Sequence, residues 1–289
     1  MNFIPWDNFL LNHYRLIKAK KKYFQAVKKH KPVIISNNIN DYEFSIFSQN
    51  GEDGILDYIF EKIGKTNGKF VEIGFGHTQN NSLFMICKRK FEGLFLDGEK
   101  FNVKAFNNFN NKFLKSNNLA VQAWLDKENI NSIIKKYIDV KSIDLLSIDI
   151  DGYDYWLWDA ITCIEPRVVI MEYNATFGKK SITLPYIENF IVSNYAHEPM
   201  HSYWYHGASL KALSKLGAKK GYVLIGTDNN GVNCFFVKKD LALKNGFKPQ
   251  NSDSCFKSHK TRTEGTFTNI PLSHEEQFDY IKNRDFIEI

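Results

Sequence analysis

Between Tyr42 and Asp240, short apolar runs of strand length alternate with longer stretches of helical periodicity. Residues 70–73, 94–96, 120–123, 144–148 and 168–171 read as strands, and segments 82–91, 103–114, 129–138 and 155–164 between them read as helices. A strand that must be followed by a helix before the next strand can pair only in parallel, so the alternation predicts an open sheet with helices on both faces. The series ends differently. Residues 221–226 and 232–237 flank Asp228-Asn229-Asn230-Gly231, whose Asn-Gly pair predicts an antiparallel hairpin. The expected fold class is α/β: parallel strands closed by an antiparallel C-terminal hairpin.

Single cores stop growing near about 250–300 residues, so a chain of 289 residues with 43% apolar content is expected to hold one large domain with an appendage, or two modest ones. The pattern divides it into a basic helical lead-in at 1–41, a sheet domain at 42–243 and an extension at 244–289. In the lead-in, Leu10, Tyr14, Ile17, Phe24 and Val27 fall at helical spacing against a Lys-rich face, and Pro32 ends the pattern. Such a helix suits packing on the main domain, and peripheral membrane contact stays open for it. Thirty-eight basic minus thirty-two acidic side chains leaves a net charge of +6. Most of that charge is Lys, which lacks the planar fork favoured by nucleic-acid readers, so no nucleic-acid partner is expected. Four cysteines without C-x-x-C spacing read as reduced thiols, consistent with a cytoplasmic protein. No charged and apolar leader pattern opens the chain, and no apolar run reaches the roughly 18 residues of a membrane span. Self-association is left open.

The first strand runs into Val71-Glu72-Ile73-Gly74-Phe75-Gly76-His77. Glycines at the carboxyl end of a first parallel strand let backbone approach a ligand. A dinucleotide site would want a third small residue where Gln79 stands. Glu72, just before the glycines, suits a ligand carrying an ammonium or hydroxyl groups. Asp97, ending the second strand, stands where a carboxylate can grip ribose hydroxyls.

Five further stretches raise the specificity. Ser48-Gln49-Asn50-Gly51-Glu52-Asp53-Gly54 precedes the first strand, Ser147-Ile148-Asp149-Ile150-Asp151-Gly152-Tyr153-Asp154 ends the fourth, and Met171-Glu172-Tyr173-Asn174 ends the fifth. His206-Gly207-Ala208-Ser209-Leu210 and then Gly231 to Val237 follow. In this collinear order, over about 47–240, the chain resembles the FkbM-like class I S-adenosylmethionine-dependent methyltransferases. The resemblance implies a Rossmann-like methyltransferase sheet, S-adenosyl-L-methionine as methyl donor, and O-methylation of sugars or related hydroxyls. It places the donor against Glu72, Gly74, Gly76, Asp97 and Asp149, with Gln49 and Glu52 nearby and Ala123 and Trp124 at the adenine edge. The expected partner is a sugar or sugar nucleotide, such as a heptose, used in capsule or other surface-polysaccharide assembly.

Asp149, Asp151 and Glu172 emerge from the carboxyl ends of adjacent strands, the rim where open α/β sheets bind ligands. A sugar hydroxyl is a poor nucleophile until its proton is taken, which one of these acids or a nearby His can do. The same three could instead hold a divalent cation, Mg or Mn, through oxygen ligands. Among His77, His197, His201 and His206, the last two join Asp149, Asp151 and Glu172 as candidate catalytic residues. The aromatic loop His201-Ser202-Tyr203-Trp204-Tyr205-His206 reads as a lid over a sugar, so Tyr203 and Tyr205, with Asn174 and Ser209, are candidate substrate contacts. Asp149-Ile150-Asp151-Gly152 also occupies the place where amine-directed methyltransferases of bases carry Asn or Asp followed by Pro-Pro and an aromatic.

Two rival readings remain. A NAD-dependent nucleotide-sugar enzyme would share the strand-glycine-acid opening, but its Tyr-x-x-x-Lys pair is matched only by Tyr137 and Lys141, ahead of the fourth strand. A non-catalytic glycan or membrane-docking accessory protein would rely on the lead-in helix.

Overall fold

The computed structural model describes residue 34 and residues 36–76, 79–188, 190–195, 203–265 and 270–289. The expected lead-in helix, and with it His77, His197 and His201, lie outside these residues.

Seven strands form one sheet: β1 (Lys69–Ile73), β2 (Glu92–Asp97), β3 (Leu119–Gln122), β4 (Ser142–Ile148), β5 (Glu165–Glu172), β7 (Tyr222–Thr227) and β8 (Asn233–Lys238). Their spatial order is β3-β2-β1-β4-β5-β8-β7. β1 to β5 pair in parallel, while β8 runs antiparallel between β5 and β7. This is the expected arrangement, five parallel strands closed by a hairpin. The hairpin turn is held by buried Asp228, whose carboxylate accepts the backbone N–H groups of Asn230, Val232 and Asn233.

Alternation along each strand sends neighbouring side chains to opposite faces. Phe70, Phe95, Val168, Ile170, Phe235 and Val237 pack on one face against Ile55, Ile59 and Phe60 of α1 (Glu52–Ile63), Phe84 of α2 (Leu83–Arg89) and Phe106 of α3 (Lys100–Phe109). Val71, Ile73, Leu96, Ile148, Val169 and Met171 pack on the other against Ile134 of α4 (Ile130–Tyr137), Trp158 of α5 (Asp154–Ala160) and Leu213 of α6 (Leu210–Lys219). Burial on both faces explains why these strands read as largely apolar runs. Two helices differ in extent from expectation. The segment expected over 103–114 starts earlier, at Lys100, and passes into a π turn at Asn110–Leu114, and α5 stops at Ala160 rather than reaching Ile164.

Strand β4 carries acids at both ends with different duties. At its start, fully buried Asp144 accepts hydrogen bonds from the Thr66 N–H, the Gly68 N–H and Arg167 Nη1, the last at 2.6 Å. That network ties the amino ends of the central strands together, away from the strand ends that carry Asp149.

After β8 the chain forms α7 (Lys239–Lys244), the short turns α8 (Ser252–Cys255) and α9 (Lys260–Thr263), and α10 (His274–Ile281), which opens with a Ser273/Glu276 capping box. β6 (Ile182–Thr183) pairs with β9 (Ile287–Glu288) in a second, two-stranded sheet. Between them a third small core gathers Phe177, Ile182, Leu184, Trp204, Tyr205 and Ile281. No helix of the described residues is long and apolar enough to cross a membrane.

Candidate functional site

The carboxyl ends of the parallel strands open into a cleft of about 940 Å³. Gly74 leaves β1 with φ +74° and donates its N–H to Leu96 O at 2.8 Å. A Cβ there would stand 1.7 Å from Asp149 O, so only glycine lets the β1 turn lie against the end of β4. Glu72 is buried and accepts the N–H groups of Asn81 and Ser82, each at 2.8 Å, at the entrance to α2. It therefore holds the glycine loop in shape while lining the cleft. Asp97 accepts the N–H groups of Phe75 at 3.1 Å and Glu99 at 2.6 Å, which anchors its half-buried carboxylate beside the glycine turn. The Trp124 ring lies over Gly98, 3.1 Å from where a Cβ would be, and is 66% exposed. Gln49 and Glu52 approach from the segment before β1; Glu52 accepts the Asn233 side chain at 2.6 Å, tying α1 to β8. Ala123 and Gly76 complete this half, so every expected donor contact lines one cleft.

Burial pushes the Glu72 carboxyl up to about 7, against the opposing pull of its hydrogen bonds to Asn81 and Ser82. A carboxyl whose folded value exceeds its unfolded value of about 4.3 stabilises the fold only while protonated, and that contribution is lost as pH rises to about 7. Comparing Glu72→Gln with wild type isolates the effect. The variant should gain on wild type by roughly 3 kcal/mol between pH 4.5 and 7.5. Urea unfolding at several pH values reads this directly, and a pH-independent difference would assign the loop no such proton.

Asp149, Asp151 and Glu172 line the second half of the cleft. Asp151 has φ +50°, a strained left-handed backbone for a non-glycine residue. Buried Asp154 stabilises it by accepting the N–H groups of Ile150 at 2.9 Å and Gly152 at 3.1 Å on either side. Burial, with Asp151 and Asp154 adding like charge, raises the Asp149 carboxyl well above the ordinary range, and its hydrogen bond to Glu172 opposes this. Burial also raises Glu172, followed by the charges of Asp149 and Asp151. No N–H or hydroxyl donor among the described residues reaches buried Glu172 Oε2. Two like-charged carboxyls buried side by side resist ionising together, so both are shifted toward the protonated form where they line the cleft.

His206 does not line the cleft. It is 1% exposed, with Nδ1 4.0 Å from Glu172 Oε2 and Nε2 3.2 Å from Arg262 Nη2. A guanidinium only donates, so Nε2 must accept and Nδ1 carries the proton. Burial, then the Arg262 charge, pulls the imidazole well below its ordinary value. The expectation that His206 is a catalytic base is thereby corrected: it is held neutral, its one lone pair already engaged.

The same contact bears on a metal. Asp151, Glu172 and His206 offer ligand atoms within 4.8 Å of one another, a different trio from the expected Asp149, Asp151 and Glu172. A metal-bound imidazole needs a bare nitrogen, yet Arg262 occupies Nε2 and thereby protonates Nδ1, and its own charge opposes a neighbouring cation. Mg or Mn does not fit this donor set as it stands.

The expected substrate contacts are corrected too. The Asn174 side chain caps the turn at Thr176 and donates to Trp204 O and His206 O, fully spent inside the protein. Tyr205 is buried and donates its hydroxyl to Asp285 O at 2.7 Å. Ser209 is the N-cap of α6, accepting the Ala212 N–H at 3.1 Å. Tyr203 is 45% exposed but stands outside the cleft. Trp204 and Tyr205 of the aromatic loop thus belong to the third core. Phe190, Ile191 and Val192 form the apolar wall instead, and Arg262, Thr261 and Asn230 join from beyond β7. The one sequence signal for Arg262 is its rarity, an Arg in a Lys-dominated chain.

No family model matches this chain, and no curated protein matches it. Among solved structures it is similar to an O-methyltransferase family protein from Burkholderia thailandensis, with 8% identity, TM-score 0.39, and coverage of 65% of this chain and 58% of that one. The chain thus spans less than two thirds of that protein. It is also similar to the N-terminal domain of EvdMO1, solved with SAH bound, with 11% identity, TM-score 0.41, and coverage of 75% and 94%. A Staphylococcus aureus protein described as a caffeoyl-CoA O-methyltransferase gives 12% identity, TM-score 0.44, and coverage of 76% and 99%. At this identity and overlap, no chemistry carries over to this chain.

Proposed function

We propose that this chain is an S-adenosylmethionine-dependent O-methyltransferase of the FkbM-like type, acting on a hydroxyl of a sugar or nucleotide-activated sugar in surface-polysaccharide assembly. The observation that carries this reading is the pairing within one cleft of two halves. Asp97, anchored beside the Gly74 turn with Trp124 next to it, suits a nucleoside with free ribose hydroxyls. The Asp149–Glu172 carboxyl pair, two strands away, suits removal of a hydroxyl proton.

When bound, the donor supplies an electrophilic methyl group on a sulfonium. Asp97 holds the ribose hydroxyls, Trp124 offers a face to the adenine, and the Gly74 backbone admits the donor's chain. On the acceptor side, the carboxyl pair takes the hydroxyl proton as the oxygen attacks, and releases it to water afterwards. Asp151, aimed into the cleft by its strained backbone, accepts a hydrogen bond from the acceptor. The apolar wall at Phe190 and Ile191 packs on the sugar's C–H surface and excludes water, and the extension at 244–289 covers the acceptor. Most of the acceleration comes from holding oxygen and methyl in line.

Calorimetry with S-adenosylhomocysteine, then methyl transfer to a panel of sugar nucleotides, tests the proposal. Saturable heat with the former and radiolabel transfer to one of the latter are expected. Heat with NAD and none with S-adenosylhomocysteine would sink it.

A further inference from the structure

Seven carboxyl side chains line the cleft: Glu52, Glu72, Asp97, Glu99, Asp149, Asp151 and Glu172. Among the described residues that line it, Arg262 of α9 is the single Lys or Arg. Its hydrogen-bond partners are Asn174 Oδ1 at 3.3 Å, Thr176 Oγ1 at 3.4 Å and His206 Nε2 at 3.2 Å, all neutral and all long. Among the described residues no carboxylate lies within 4.0 Å of its guanidinium; Glu172 and Asp151 act on it from further away. A guanidinium carries five N–H donors in a planar fork, so three acceptors leave at least two unspent. An arginine drawn into a protein wall without a close counterion is an expensive arrangement unless an anion completes it.

We infer that Arg262 binds an anionic oxygen group of the acceptor, either a phosphate of a sugar nucleotide or a ring carboxylate. The planar fork matches both groups in bidentate fashion. An acceptor carrying negative charge would be repelled by the acidic rim, and Arg262 offsets that repulsion at the end where the acceptor enters. The donor's own carboxylate is the less suitable partner. Arg262 stands by β5, two strands from β1 and three from β2, so strand spacing puts it about 10 and 14 Å from the donor half. This inference rests on the methyltransferase reading for the words donor and acceptor, and on the geometry alone for the anion subsite.

The test is calorimetry on protein saturated with S-adenosylhomocysteine, titrated with uridine diphosphate in one arm and D-glucuronate in the other. One of the two is expected to bind, and which one identifies phosphate or carboxylate as the source. Arg262→Gln should weaken that binding at least 10-fold and leave the S-adenosylhomocysteine Kd within about 2-fold, which also reports an intact fold. Arg262→Lys, keeping charge without the fork, should fall between. No binding of either probe by wild type overturns the inference, as does undiminished binding by Arg262→Gln. Selective loss of S-adenosylhomocysteine affinity in Arg262→Gln and Arg262→Lys also overturns it, since Arg262 would then serve the donor. Arg262-dependent anion binding to a protein that shows no heat with S-adenosylhomocysteine would keep the subsite and refute the methyltransferase reading instead.

Discussion

Asp149→Asn and Glu172→Gln should each lower turnover by about two to four orders of magnitude, the usual contribution of a positioned proton acceptor. S-adenosylhomocysteine affinity should change only a few-fold, because Asp97 and the Gly74 turn hold the donor from the other half of the cleft. The residual activity carries a sharper signature. Glu172 is raised by burial and then by the charge of Asp149, so removing that charge lets its carboxyl fall toward the ordinary range. In wild type the base is lost to protonation as pH falls through the raised value. In Asp149→Asn the acid limb of the turnover profile should therefore move to lower pH. Single-turnover rates across pH check both outcomes, and undiminished turnover in both variants would remove the carboxyl pair from the chemistry.

Gly74→Ala should be as damaging for a different reason. Its Cβ would fall 1.7 Å from Asp149 O, and the residue would have to keep φ +74°. The atoms that must yield are backbone at the ends of β1 and β4, so the clash cannot be relieved by rotating a side chain. A loss of about 3–5 kcal/mol of stability is expected, near the upper end for single substitutions. Donor affinity should fall by at least 100-fold in whatever fraction folds, since the Gly74 turn that admits the donor would itself be displaced. Denaturant unfolding and calorimetry on the same preparation separate the two effects. A variant with wild-type stability and donor affinity would show that the close approach of the two strand ends is not needed.

The elements were largely legible in the chain. Strands such as 94–96 and 168–171 are buried on both faces, so they appear as unbroken apolar runs, and the Asn230-Gly231 turn announces the closing hairpin. Asp97, Asp149 and Glu172 were legible as rim residues for the same reason: an acid at the carboxyl end of a parallel strand faces the ligand side whatever the loops do. Less legible was anything set by a loop. Tyr205 and Ser209 look like a lid and a polar contact in sequence, yet one fills the third core and the other caps a helix. Both uses satisfy the same residue types, and only the packing chooses between them.

Sequence alone thus determined the sheet, its closure and the acids on its rim, because these follow from local periodicity and from position along a strand. The tertiary structure decided the charge and proton state of the site. His206 is kept neutral by burial and then by Arg262, 56 residues away in the chain, and Arg262 is held by Asn174, 88 residues away. Contacts at that separation are made by the fold rather than by any pattern, and here they turn a histidine that looked like a base into a support for the cleft's single arginine.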